Sequence, residues 1–290
     1  MNYEQFRIPA SRKIKITDYD PEATSGFKDK EEAQSKLAAD IECMAELQDM
    51  LYASRQRALL IVLQGMDTAG KDSVIKHVLS GVNPQGVRVT SFKQPTEEEL
   101  YHDYLWRAHK ALPERGFIDI FNRSYYEEVL VARVHPEVLE REGISEATKA
   151  LWKTRYEEIN NFERYLERNC VVILKFALNL SKEEQRKRLL ERIENPEKNW
   201  KFALSDLTER RHWNKYMSAY EAMFNHTSTE WAPWYFIPAD HKWYTRVVVA
   251  DVIVSALQSL HLKYPALTPE QKKLLAEGKK MLEEEAVSTQ

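Results

Sequence analysis

Residues 58–73 read ALLIVLQGMDTAGKDS: an apolar, β-branched run ends in Gly65-x-x-x-x-Gly70-Lys71 and passes straight into a helical pattern. Strand, glycine-bounded turn and helix start, in that order, are what a phosphate-cradling loop requires. Gly65 and Gly70 allow backbone conformations closed to other residues, so amide N–H groups, those of Thr68 and Ala69 included, can converge on an anion. The new helix presents unpaired N–H groups and a partial positive charge to the same point. Lys71 adds a point charge at the phosphate ends. The chain holds only eight glycines, so two in this stretch are not the by-product of a glycine-rich sequence. A site for polyphosphate groups is expected here.

Phosphoryl transfer asks for phosphates held in line, Mg²⁺ to absorb charge, and cations over the moving group. Asp67 lies inside the loop, four residues before Lys71. A carboxylate there repels phosphate oxygens unless a metal lies between them, which makes Asp67 a candidate metal ligand. The plainer alternative is a turn residue capping the loop backbone. Asp72 stands where such loops usually place the Ser or Thr that helps hold Mg²⁺, which argues against an ordinary nucleotide triphosphatase. As an anion in the first helical turn it also suits the helix dipole.

The third expected strand runs into Asp119-Ile-Phe-Asn122-Arg123-Ser-Tyr-Tyr-Glu127-Glu128. Ligands gather at the carboxyl ends of parallel strands, so Asn122 and Arg123 should emerge beside the loop. Arg123 is a candidate bidentate phosphate clamp. Glu127 and Glu128 can address a metal or an acceptor, Glu128 joining Asp67 as the second expected metal ligand. Their plainer reading is an acidic pair at a helix start. Arg133 completes an expected nucleotide-binding set with Asn122, Arg123, Glu127 and Glu128. Asp119 alternates with its neighbours as an ordinary strand residue does.

The segment from Lys182 to Lys201 is rich in Lys and Arg, and Glu184 with Arg188 is an ordinary i,i+4 pair. Arg188 and Arg192 are like charges one turn apart, which repel unless an anion lies between them. Asn195-Pro196 breaks the helix, and Lys198 and Lys201 follow on the return. A hinged cationic flap over a polyanion is expected, with Arg188 and Arg192 as phosphate contacts.

These side chains need a scaffold. Leu37, Ile41, Met44, Leu47 and Leu51 follow helical spacing ahead of the first strand. Further strands are expected at 87–92, 117–121, 170–178 and 234–237. Helices are expected at 96–111, 125–134, 145–168, 181–194, 206–225, 243–262 and 268–285, two of them opened by the capping boxes Thr96-x-x-Glu99 and Ser181-x-x-Glu184. Strands alternating with helices predict an α/β fold: a five-stranded parallel sheet in a three-layer P-loop kinase arrangement with a helical lid. One domain over 1–290 is expected, with an arm at 1–30, a lid region at 181–225 and a helical tail at 265–290. A net charge of −3 makes any anion site local and argues against a nucleic-acid binder. Two cysteines cannot build a disulfide framework, and no signal-peptide core or membrane-length apolar run occurs, so a cytoplasmic enzyme is expected. The aromatic-rich C-terminal third suggests a homo-oligomer.

The stretches GMDTAGKD (65–72), GVNPQGVRVTSF (81–92), DYLWR (103–107), IFNRSYYEEVLV (120–131), NPEKNWKF (195–202) and APWYFIPADHKWYTR (232–246) together resemble the polyphosphate kinase 2 family over about 250 residues, from Leu37 to Leu262. The resemblance implies reversible, Mg²⁺-dependent phosphoryl transfer between inorganic polyphosphate and a nucleotide on a P-loop fold with a basic lid. By that likeness Asp67 and Lys71 are essential, Arg123 contacts phosphate, and Arg188 and Arg192 belong to the lid. Many members have an acidic Asp where this chain has Asn122, leaving Glu127 or Glu128 to compensate. Asn122 with a nearby Glu implies the class that phosphorylates AMP as well as ADP, with GMP and GDP as further candidates. Asp67, Lys71, Arg123 and Glu127 are thus the expected catalytic residues. An ATP-using nucleotide kinase on the same scaffold is the nearest rival, and a non-catalytic nucleotide-binding regulator the rival from another class.

Overall fold

The apolar run Ala58–Gly65 (β1) lies at the centre of the sheet, where burial on both faces leaves no room for polar alternation. In the computed structural model, which describes residues 2–288, α1 (Lys30–Ser54) precedes it and α2 (Lys71–Val78) follows the glycine turn. Then come β2 (Val87–Ser91), two short helices α3 (Glu97–Leu100) and α4 (Trp106–Lys110), and β3 (Ile118–Asn122). Three helices, α5 (Glu127–Val134), α6 (Glu137–Arg141) and α7 (Lys149–Arg168), lead to β4 (Val171–Asn179). Beyond it lie α8 (Lys182–Glu194), α9 (Leu204–Arg211), α10 (Trp213–Thr227), β5 (Trp234–Pro238), α11 (Lys242–Ser259) and α12 (Pro269–Ser288).

All strand pairs are parallel, in the order β2-β3-β1-β4-β5, so the sheet agrees with the α/β expectation. Strand periodicity divides the core between its faces. Leu59, Ile61 and Leu63 join α1, α2 and α11 in one layer. Leu60 and Val62 join α5, α7 and α10 in the other. The carboxyl ends of β1 and β3 therefore open side by side, which places the 65–71 loop next to Asn122 and Arg123.

Several elements depart from the sequence expectation. The helix expected over 96–111 is broken after Leu100, because Asp103 Oδ1 accepts from the Leu105 amide and starts a new turn. The helix expected over 206–225 is two helices joined at His212. The segment expected as a lid, 181–225, divides accordingly: α8 and α9 rim the loop, whereas α10 buries Trp213, Tyr220 and Phe224 in the core. The arm lies on β5, Ile8 donating its amide to Trp234 O at 2.7 Å. Most aromatics of the C-terminal third, Trp234 and Tyr244 among them, are core residues of the chain itself. Among the described residues no helix is long and apolar enough to cross a membrane.

Candidate active site

The loop is shaped by close approach and by backbone geometry. A Cβ on Gly65 would stand 3.0 Å from Ala69 Cβ and 3.2 Å from Leu178 Cβ, so the loop can lie back on β4 only without a side chain there. Gly70, the N-cap of α2, has φ +110°, open to glycine and costly for others. Thr68 (φ +67°) and Arg123 (φ +63°) are held left-handed although neither is glycine. Two strained backbones, one in each of two adjoining loops, are the kind of outlier that functional sites retain.

Lys71 Nζ donates to Gly65 O at 2.6 Å and to Met66 O at 3.3 Å. Burial, then the Arg123 charge, push its pKa down, against the pull of Asp67 and Glu127. Arg123 Nη2 donates to Asp67 Oδ1 at 2.9 Å, and Nη1 lies 3.8 Å from Glu127 Oε2. Burial opposes the Arg123 charge, but Glu127 and Asp67 outweigh it and raise the pKa. Asn122 Nδ2 donates to Asp72 Oδ1 at 2.8 Å, while Asn122 Oδ1 is buried without a hydrogen-bond partner. Asp67, Lys71, Arg123, Glu127, Asn122 and Asp72 are thus one constellation, joined across the ends of β1 and β3.

Four expected residues stand differently. Glu128 is buried, with Oε1 3.5 Å from Arg107 Nη2 and Oε2 3.5 Å from Arg155 Nη1. Burial, together with the Glu142 carboxylate beside it, pushes its pKa up to about 8. The carboxyl is thus held between two arginines, and Glu128 lines the second cavity described below together with Asp67. Arg133 donates to Tyr156 OH at 2.8 Å and lies over the Trp152 ring, lining neither cavity described below. It fastens α5 to α7.

Arg188 is buried, and all five of its N–H groups have protein acceptors. Nε donates to Glu184 Oε1 (2.8 Å), Nη1 to Thr68 O (3.0 Å) and Ala69 O (3.3 Å), and Nη2 to Ala239 O (2.7 Å) and Asp240 O (2.9 Å). Its charge lies beneath the loop, yet no donor is left for a phosphate. Gln185 Nε2 adds a bond to Asp67 O at 3.0 Å. Arg192 pairs with Asp206 Oδ2 at 3.1 Å. The two arginines therefore coexist through Glu184 and Asp206, and an intervening anion is not required.

Two cavities flank the constellation. The first, of about 520 Å³, runs from the loop under α8 and the 198–201 turn. Eight Lys and Arg side chains line it against three carboxylates. Lys198 and Lys201 were expected there; Lys93 and Lys242 were not singled out, although Lys242 falls inside the 232–246 stretch. The second, of about 310 Å³, lies across Asp67 and Arg123, lined by Met66, Leu130, Val131, Tyr216 and Tyr220 together with Glu127 and Glu209. Tyr216 and Tyr220 escaped notice because α10 read as part of a flap. Asp67, Arg123, Phe92, Lys93 and Gln94 line both cavities and form their common wall.

Comparison with known proteins adds an independent line. The model for polyphosphate kinase 2 (PPK2) matches residues 27–265. An ADP-polyphosphate phosphotransferase of Rhodopseudomonas palustris is 47% identical over 282 residues, covering 96% of this chain and 98% of the relative. An AMP/ADP-polyphosphate phosphotransferase of Meiothermus ruber is 45% identical over 275 residues, covering 94% of this chain and 100% of the relative. The crystal structure of polyphosphate kinase 2 from Arthrobacter aurescens TC1 superposes with a TM-score of 0.86 at 40% identity, covering 94% of this chain and 96% of that one.

Proposed function

The chain belongs to the polyphosphate kinase 2 family, and on that premise we propose that it passes the terminal phosphoryl group of inorganic polyphosphate to AMP and ADP. The observation that carries this reading is the wall of Asp67 and Arg123 between a cationic cavity and a more apolar one. The cationic cavity takes the polymer. The cavity with Tyr216 and Tyr220 takes the nucleoside, its phosphates directed at Arg123.

Across the wall an acceptor phosphate oxygen bonds to the terminal phosphorus as the donor's P–O–P bond breaks, with no covalent enzyme intermediate. Positioning and charge neutralisation supply the rate. Lys71 and the α2 amide end meet the donor oxygens. Arg123, steered by Asp67 and Glu127, bridges donor and acceptor. Glu127 faces the acceptor side, and AMP as well as ADP is assigned to it, guanine nucleotides being a further acceptor class.

The family's chemistry implies Mg²⁺. Mg²⁺ takes oxygen ligands, keeps several waters and is commonly held by one or two carboxylates plus substrate phosphates. The part-exposed Asp67 carboxylate fits that demand, with Asp72 and the unpartnered Asn122 Oδ1 as nearby oxygens. Among the described residues no group of three or more His, Cys, Asp or Glu forms a protein cage, and none is needed for such binding. When bound, the ion would neutralise charge shared by donor and acceptor phosphates. A cytoplasmic setting, where nucleotides and Mg²⁺ occur together, goes with this reading.

The test is incubation with Mg²⁺, long-chain polyphosphate and AMP, ADP or GDP, with no nucleoside triphosphate. Formation of the next higher nucleotide supports the assignment. Transfer only from ATP would establish the rival kinase.

A further inference from the structure

The cationic cavity is bordered on its α2 and α11 side by charges that the loop and lid do not explain. Lys242 and Arg246 stand one turn apart on α11 and so share a face. Lys242 lines the cavity, as does Ser73 on α2. Arg246 donates to the Ser73 hydroxyl through both Nη2 (2.8 Å) and Nε (3.3 Å), which sets its guanidinium at the cavity's edge. Among the described residues neither Lys242 nor Arg246 has a carboxylate within salt-bridge distance, in contrast to Arg123, Arg188 and Arg192.

That lack of counter-charge needs an explanation. An arginine has five N–H donors, and the two hydrogen bonds of Arg246 both go to one hydroxyl. Burial lowers its pKa with nothing opposing. Lys242 is lowered too, by burial and by Arg188 against the pull of Glu191 and Glu184, and His77 by burial and by Arg246. A part-buried guanidinium with no carboxylate within salt-bridge distance opposes folding, and a polyanion reaching it supplies the missing counter-charge. A brace between α2 and α11 needs only the Ser73 bond, for which a neutral donor would serve.

We propose that Arg246, with Lys242 and the Ser73 hydroxyl, forms a distal phosphate subsite that receives the polyphosphate chain where it leaves the loop cavity between α2 and α11. The subsite rests on the reading of polyphosphate as donor. It engages chains long enough to reach beyond the loop and leaves short donors untouched, so it sets a preference for donor length.

Steady-state transfer to ADP, measured with tripolyphosphate and with long-chain polyphosphate, tests it in the full-length protein. Arg246→Ala should raise KM for the long chain about five- to tenfold more than KM for tripolyphosphate, the effect of one lost charge-assisted contact. Arg246→Lys should recover most of the difference, since it restores the charge. A direct titration with long-chain polyphosphate in the absence of acceptor should weaken in the same proportion. Equal changes at both lengths, or none, would overturn the subsite and leave Arg246 as a brace for α2. Absence of transfer from any polyphosphate by the unaltered protein would instead overturn the functional reading, and the subsite with it.

Discussion

The two cavities that meet at Asp67 and Arg123 are built on opposite principles. The loop cavity sets eight Lys and Arg side chains against three carboxylates, whereas its neighbour sets four against five and adds tyrosines and aliphatic side chains. Excess charge recognises a polyanion through its density, with little regard for its ends or length. A mixed, partly apolar cavity recognises shape and hydrogen-bond pattern, and rejects what leaves its polar groups unpaired. A polymer of identical units needs the first kind of site. A nucleotide that must be told from other nucleotides needs the second.

The largest effect should come from the shared wall. Lys71→Ala or Asp67→Asn should lower turnover by about two to three orders of magnitude with every acceptor, the scale of losing one preorganised electrostatic contact at the moving group. Near-normal turnover in either variant would remove the wall from the mechanism. Next comes a change confined to the cationic side. Lys198→Ala combined with Lys201→Ala should raise KM for polyphosphate about tenfold, and weaken the dependence of that KM on salt. If KM for ADP rises equally, the cavities are not separate sites.

Glu127→Asn belongs to the acceptor side and should reduce kcat/KM for AMP about tenfold more than for ADP. Equal losses would mean that Glu127 works through Arg123, whose Nη1 lies 3.8 Å away.

The smallest effect concerns Glu128. Its pKa of about 8 stands above the ordinary 4.5, raised by burial and by Glu142. Between those values the folded state holds a proton that the unfolded chain has released, so raising pH through that interval withdraws stability. Thermal unfolding followed from pH 5 to 8 should show the midpoint of Glu128→Gln falling less than that of the wild type, by a few degrees. Identical slopes would show that Glu128 does not titrate there.

What the sequence conveyed follows from how local each feature is. The glycine spacing, the apolar β1 run and the capping residues Thr96 and Ser181 act within a few positions, and the structure agrees with each. The convergence of Lys71 and Arg123 followed from parallel-sheet topology. Arg188 was out of reach because its acceptors come from residues 68, 69, 239 and 240, carbonyls that no side-chain pattern advertises. The surroundings of Glu128 were out of reach for a similar reason: its neighbours Arg107 and Arg155 arrive from α4 and α7. Neither arrangement can be read from the charge of a residue near a phosphate loop.

The four bonds of Arg188 to backbone carbonyls, with that of Gln185, also have a mechanical meaning. They clamp the first half of α8 to the loop and to the turn after β5, so that end of the helix is a fixed fulcrum. Beyond Asn195-Pro196 the backbone returns through 198–201, fastened to the far end of α8, where Asn199 Nδ2 donates to Arg192 O and Ile193 O at 2.8 Å each. Any opening of this roof has to carry the far end of α8 with it, while the amide cradle below keeps its shape. Amide hydrogens after residue 195 should exchange with solvent well before those of 185–190. A long donor could then be readmitted, unit by unit, to a seat that never has to be rebuilt.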